Sequence, residues 1–150
     1  MTRRSQRLAG VDYGARRIGL AMSDTRLRLA SPAAILSGAG HPRRDAQAVH
    51  AWALENEATE LVVGMPLNMD GTAGPQAELT RRFIAALRAL GGLPVHEWDE
   101  RLSTFRADEL LDDLGARGRR RTARRDALAA QVILQSFLDA RAPADEKGDL

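Results

Sequence analysis

The chain has no cysteine, one lysine (Lys147) and few aromatic residues, 4% of its 150 residues. Without thiols it can form no disulfide, no thiolate nucleophile and no thiolate metal site, so any metal must be held by oxygen or histidine. The scarce aromatics include Trp52 and Trp98, which are expected to pack rather than to act as platforms for stacked bases. The histidines are isolated: His41 is expected in a loop, His50 in a helix and His96 in a strand, with no two at metal-ligand spacing. No apolar run approaches the ~20 residues of a membrane span. The basic stretch Met1–Arg7 is not followed by the apolar segment of a signal peptide. A cytoplasmic protein with no membrane partner is therefore expected.

The apolar fraction is 44%, and a domain of this length buries roughly 70% of its unfolded surface. We expect a single domain over residues 1–150, with flexible tails at 1–6 and 142–150. The formal net charge is only +2, but the positive charge is clustered. Arg117, Arg119, Arg120, Arg121, Arg124 and Arg125 crowd one segment, and Arg3, Arg4 and Arg7 another. Arginine richness follows in part from genome base composition. The clustering points to phosphate groups, for which the guanidinium fork is well suited, and so to nucleic acid.

Patterning predicts three strands first. Gly10-Val11-Asp12-Tyr13 is the first. Gly14 and Ala15-Arg16-Arg17 turn the chain, and Ile18, Leu20 and Met22 alternate with Gly19, Ala21 and Ser23 in the second. Those small residues suggest a sheet surface on which a helix can pack closely. Leu29–Leu36 is the third, with Pro32 arguing for an edge or irregular position. A helix is expected over 43–57, with Ala46, Val49 and Ala53 on one face. Glu60–Gly64 is continuously apolar after its first residue, which suits a strand buried on both faces. A loop from Met65 to Pro75 follows, then a helix with Leu79, Phe83, Leu87 and Leu90 at helical spacing, ended by Gly91-Gly92. Pro94–Trp98 reads as the last strand. Ser103 or Thr104 is expected to cap a helix carrying Leu110, Leu111 and Leu114. Residues 116–125 have no apolar period and read as a solvated loop before a final helix, 125–141. The order implies an α/β fold: a mixed five-stranded sheet, antiparallel in its first three strands and then parallel, flanked by helices.

Within this frame Asp12 is out of place, because an unpaired carboxylate inside an apolar strand is costly. Asp24 and Asp70-Gly71 have simpler roles in turns. Asp99 and Glu100 end the last strand, at the sheet end where α/β sites form, and at most one of them can face a given site. Either can also pair with Arg101. Asp126 begins the last helix in register with Ala130, Ile133 and Phe137, its apolar face. It also suits the positive end of that helix. Converging carboxylates without cysteine suit hard cations, Mg²⁺ or Mn²⁺. The matching chemistry is phosphodiester hydrolysis by two ions ~3.5–4 Å apart. Asn68 and Thr72, in the loop at the carboxyl end of the sheet, are candidates for substrate contact, as are Arg16, Arg17, Arg101 and the arginines of 117–125.

Four ordered blocks resemble one known family: residues 10–24, Leu61-Val-Val-Gly-Met-Pro-Leu-Asn-Met-Asp-Gly71, Trp98-Asp-Glu-Arg-Leu-Ser-Thr104 and Arg125-Asp-Ala-Leu-Ala-Ala-Gln-Val-Ile-Leu-Gln-Ser-Phe-Leu138. They resemble the YqgF (RuvX) family, described as Holliday junction resolvases and as pre-16S rRNA nucleases. The resemblance implies an RNase H-like fold and a metal-dependent nuclease site. Carried over by position, the metal-binding and catalytic acids are Asp12, Glu100 rather than Asp99, and Asp126. It favours maturation of the 5′ end of pre-16S rRNA over cleavage of branched DNA, with the ribosomal particle as a further partner and a monomer or homodimer as the active form. Two other functions compete: an RNA-binding ribosome-assembly protein that does not cut, and a nucleotide phosphohydrolase of the actin and sugar-kinase type. The second normally needs two such domains.

Overall fold

The structure is a computed structural model that describes the backbone of residues 5–102 and 118–141 and, of these, the side chains of 5–102 and 127–141. The helix expected after Ser103 and the tail 142–150 lie outside the described residues. The elements are β1 (Leu8–Tyr13), β2 (Arg17–Ser23), β3 (Ala30–Ser37), α1 (Pro42–Glu55), β4 (Glu60–Met65), α2 (Pro75–Leu90) and β5 (Val95–Asp99). A short 3₁₀ turn (Glu100–Leu102) and α3 (Gly118–Arg141) complete them. One five-stranded sheet has the order β3-β2-β1-β4-β5. β1–β2 and β2–β3 are antiparallel, and β1–β4 and β4–β5 are parallel, as the sequence predicts.

Pro32 lies on β3, an edge strand, next to a register irregularity at Leu20/Ala21. Proline cannot donate to a ladder and is tolerated there. β1 and β4 are buried on both faces, so their alternating residues feed two separate cores. Ala9, Val11, Tyr13, Ile18, Leu20, Leu61 and Val63 join α1 and α2, through Ala46, Val49, Ala53, Phe83, Ile84 and Leu87. Leu8, Ala21, Ala30 and Val62 join α3, through Ala130, Ile133, Leu134 and Leu138. Each large side chain so buried contributes roughly 1.5–3 kcal/mol. In α2 the buried stripe is Ala77, Thr80, Phe83, Ile84 and Leu87, while Leu90, expected on that stripe, is 42% exposed at the helix end.

The main correction concerns the arginine-rich segment. The loop expected up to Arg125 is helical from Gly118, so α3 spans 24 residues, about 36 Å at ~1.5 Å per residue. Lack of an apolar period does not prevent a segment from being helical, and arginine is a good helix former.

Two polar features position the elements around the site. Asp45, 1% exposed, accepts hydrogen bonds from the Tyr13 hydroxyl at 2.6 Å and the Ala39 amide at 2.6 Å, and so ties the end of β1 to the entry of α1. Gln131 and Gln135 of α3 bond the backbone of Ala30 at 3.1 and 2.9 Å. The sheet face under α3 needs a residue without a side chain. A Cβ on Gly10 would lie 2.7 Å from Leu134 Cβ and 2.8 Å from the Ala130 carbonyl oxygen. Gly10→Ala is expected to lower stability by about 1–3 kcal/mol through overpacking, read as a lower urea midpoint at unchanged m-value.

Candidate active site

The site builds outward from β1. Ala9, Val11 and Tyr13 face α1 and α2, whereas Leu8 and Gly10 face α3. By alternation Asp12 is on the α3 face. It pairs across the ladder with Gly19 of β2. On the other side, Val11 is level with Val63, so the next residue of β4, Gly64, adjoins Asp12 at the strand spacing of about 4.8 Å.

Glu100 arrives at this point from β5. It opens the 3₁₀ turn that follows Asp99, and its side chain lies across Gly64. A Cβ on Gly64 would be 2.8 Å from Glu100 Cγ and 3.2 Å from Cδ, with Ile133 Cδ1 at 2.5 Å. The carboxyl group is thus pressed between the glycine floor of β4 and α3, on the face that carries Asp12. Burial, and then the neighbouring Asp99 carboxylate, push the Glu100 acid above its ordinary range. A position in strand β4 without a side chain is the signal for such a close approach. Strand patterning alone treats Gly64 as one more small residue and misses that role.

Asp99 is directed elsewhere. It makes a two-pronged ion pair with Arg101, Nη2 to Oδ2 at 2.6 Å and Nε to Oδ1 at 3.1 Å, and accepts the Arg101 amide at 2.9 Å. The guanidinium holds its carboxyl below the usual range. Arg101 also donates to the Met69 carbonyl at 3.3 Å. Asn68 donates to the Thr72 hydroxyl at 2.9 Å, and that hydroxyl donates to Asp70 at 2.6 Å. Gly71, at φ 88°, completes the turn. Arg101, Asn68 and Thr72 therefore brace the loop beside the carboxylates, and their hydrogen-bonding groups are engaged within it. Asp24 accepts the amides of Arg28 and Leu29 and is a turn residue, as expected.

Arg16 and Arg17 sit at the exposed hairpin turn. Arg119, Arg120, Arg121, Arg124, Arg125 and Asp126 belong to the first half of α3, with side chains outside the described residues, and Arg117 lies outside them altogether. The backbone still locates residue 126. Ala130 and Leu134 contact Gly10, and Leu138 packs in the cluster that holds Leu8. Helix α3 therefore runs antiparallel to β1. Residue 126 lies one turn, about 5.4 Å, beyond Ala130 in the direction in which Asp12 lies two residues, about 6.8 Å, beyond Gly10. Among the described residues, no group of three histidines or carboxylates gathers with metal-binding geometry.

A crowded carboxylate of this kind is a local stability cost. For an acid whose folded pKa is raised, stability is present below its ordinary value, 4.5 for glutamate, and is lost as the pH rises through the folded value. In chelator-treated protein Glu100→Gln is expected to raise the Tm relative to wild type by an amount that grows from acid to neutral pH. Thermal melts across that range test it, and a gap that shrinks with rising pH would contradict it.

Comparison with known proteins shows the family and the fold. A family model described as RuvX, Holliday junction resolvase, matches residues 6–140. A protein of Anaeromyxobacter dehalogenans (strain 2CP-C) named "Putative pre-16S rRNA nuclease" is 47% identical over 137 residues, covering 91% of this chain and 99% of the relative. A protein of Agrobacterium fabrum with the same name is 41% identical, covering 90% and 84%. Among solved structures, Thermus thermophilus RuvC in complex with a Holliday junction substrate superposes with a TM-score of 0.53 at 17% identity, over 91% of this chain and 96% of that one. That likeness establishes the fold, an RNase H-like one. The four ordered sequence blocks, the sheet topology and the matches over most of the chain agree: the chain belongs to the RuvX (YqgF) family.

Proposed function

We propose that this chain is a divalent-metal-dependent nuclease that hydrolyses phosphodiester bonds in structured nucleic acid, acting in maturation of the 5′ end of pre-16S rRNA. The observation that carries this reading is the seating of Glu100 across Gly64, one strand over from Asp12. The names of the relatives supply the substrate.

The donor chemistry fits the cations. The acids are oxygen donors, and burial next to another acid makes the charged form of Glu100 costly unless a cation offsets it. Asp12, Glu100 and Asp126 would hold Mg²⁺ or Mn²⁺, which supply an acidified water and charge neutralisation at the leaving oxygen. The chain's own groups do the rest. Strand β1 fixes Asp12 in a rigid ladder. Ile133 and the bare floor at Gly64 flank the half-buried Glu100 side chain and set where its carboxyl sits. The Asp99–Arg101 pair anchors the turn that carries Glu100 and braces the 68–72 loop at the rim. Arg16, Arg17 and the arginines at the start of α3 provide phosphate contacts around an acidic centre.

The test is a cleavage assay of precursor rRNA, single-stranded RNA and a four-way DNA junction side by side. Asp12→Asn is expected to lower metal-dependent cleavage of the rRNA precursor by about three orders of magnitude while melting at the wild-type temperature in chelator. Cleavage by pure Asp12→Asn protein at the wild-type rate would overturn the reading, and cutting confined to the junction would replace its substrate. Gly64→Ala is expected to displace Glu100 and reduce kcat by about a hundredfold, with a stability loss of only about 1–3 kcal/mol, since the other contact is the mobile end of Ile133. Wild-type kcat in Gly64→Ala would rule out the seat described for Glu100.

A further inference from the structure

A second basic feature lies on the other side of the molecule from α3. Helices α1 and α2 leave between them a groove of about 600 Å³, lined by His41, Arg43 and Gln47 from the start of α1 and by Arg82, Ala86 and Leu90 from α2. Among the described residues, no carboxylate lines it. The arginines nearby on α2 are neutralised: Arg81 pairs with Glu78 at 2.6 Å, and Arg88 with Glu97 at 3.6 Å. Arg43 and Arg82 are exposed and have no carboxylate partner among the described residues. A solvated surface without function gains by interspersing charges of both signs, as the rest of α2 does. Here two cations face one cleft with alanine and leucine walls between them.

The groove also connects to the candidate active site. The loop that enters α1 is pinned to the β1–β2 turn, where the Gly38 amide donates to the Arg16 carbonyl at 2.8 Å, and to α1 itself, where Ala39 donates to Asp45. Arg16, Arg43 and Arg82 thus mark a path of arginines from the end of the sheet, where Asp12 lies, over its rim and into the groove, past His41.

We propose that this groove is a second binding site for the RNA substrate, taking a single-stranded flank that leaves the catalytic face over the hairpin turn. Arg43 and Arg82 contact backbone phosphates, and the walls at Ala86 and Leu90 accept ribose or base faces. Positively charged grooves track the backbone of single strands without reading sequence, the phosphate contacts supplying the salt-dependent affinity. The inference rests on the nuclease reading for the identity of the ligand, but binding is separable from cleavage.

The experiment measures binding of a long fluorescent single-stranded RNA to Asp12→Asn protein, with and without Arg43→Glu and Arg82→Glu together. A charge-matched control carries Arg26→Glu and Arg81→Glu, both outside the groove. The groove variant is expected to bind about tenfold more weakly or worse and to lower the salt slope by about 1.4, some 0.7 for each phosphate left without its arginine. The control is expected to retain most of its affinity. Equal weakening in the two variants would reduce the effect to net charge and overturn the proposal, as would unchanged affinity in the groove variant. Both arginines are exposed, and melts in parallel check that folding is intact. In the wild-type background, the groove substitutions are expected to raise KM for the long RNA at unchanged kcat, and a fall in kcat alone would contradict it. Should wild-type protein cleave nothing, the binding arm still decides the groove, so the two readings fail separately.

Discussion

The close approach of α3 to the sheet is the constraint on which the rest depends. Gly10 and Gly64 leave two gaps in the floor of adjacent strands, and the helix and Glu100 fill them. At Gly10 the helix backbone itself comes down, so the Ala130 carbonyl lies where a side chain would be. At Gly64 the gap is shared by Ile133 and the Glu100 carboxyl group. At Gly10 the contact is unforgiving, because the helix backbone cannot shift as a side-chain end can. The same feature therefore sets the depth of the helix and the position of an acid.

The two faces of the sheet then divide the work. The α1/α2 face is a conventional core, with Phe83 stacked on Tyr13 at a centroid distance of 4.1 Å and a buried carboxylate, Asp45, that is satisfied twice over. Such satisfaction is what permits a charge there. The α3 face carries fewer large side chains, more glycine and alanine, and the acids. Glu100 is held on this face at a cost to its charged form. Perturbed carboxylates of this kind, offset elsewhere by packing, are common in sites that recruit cations.

Around the acids the polar residues sort by what already occupies them. Arg101, Asn68 and Thr72 are engaged with one another's loop and with Asp99, so they stiffen the rim. Arg43 and Arg82 lack such partners among the described residues and face an open cleft. An arginine locked in a bidentate pair contributes shape, and one without a carboxylate contributes field. That distinction separates the bracing loop from the basic groove, although arginine is central to both.

Much of this was legible in the chain by itself. Period-two alternation in 18–23, the apolar run at 61–63 and the proline at position 32 determined the strands, their order of burial and the edge, because those signals are local consequences of pleating and of a missing amide. Asp12 stood out because an acid in an apolar strand has no cheap alternative. Glycine signals were ambiguous: Gly10 and Gly64 read as ordinary small strand residues until α3 and β5 were placed above them. Whether Asp99 or Glu100 faces the site depended on the turn after β5, which a strand period cannot foresee. The helical state of residues 118–125 escaped too, since an arginine-rich sequence without alternating apolar residues carries no period for a pattern to detect. Local periodicity encodes which way each residue points; only the tertiary structure decides what it meets there.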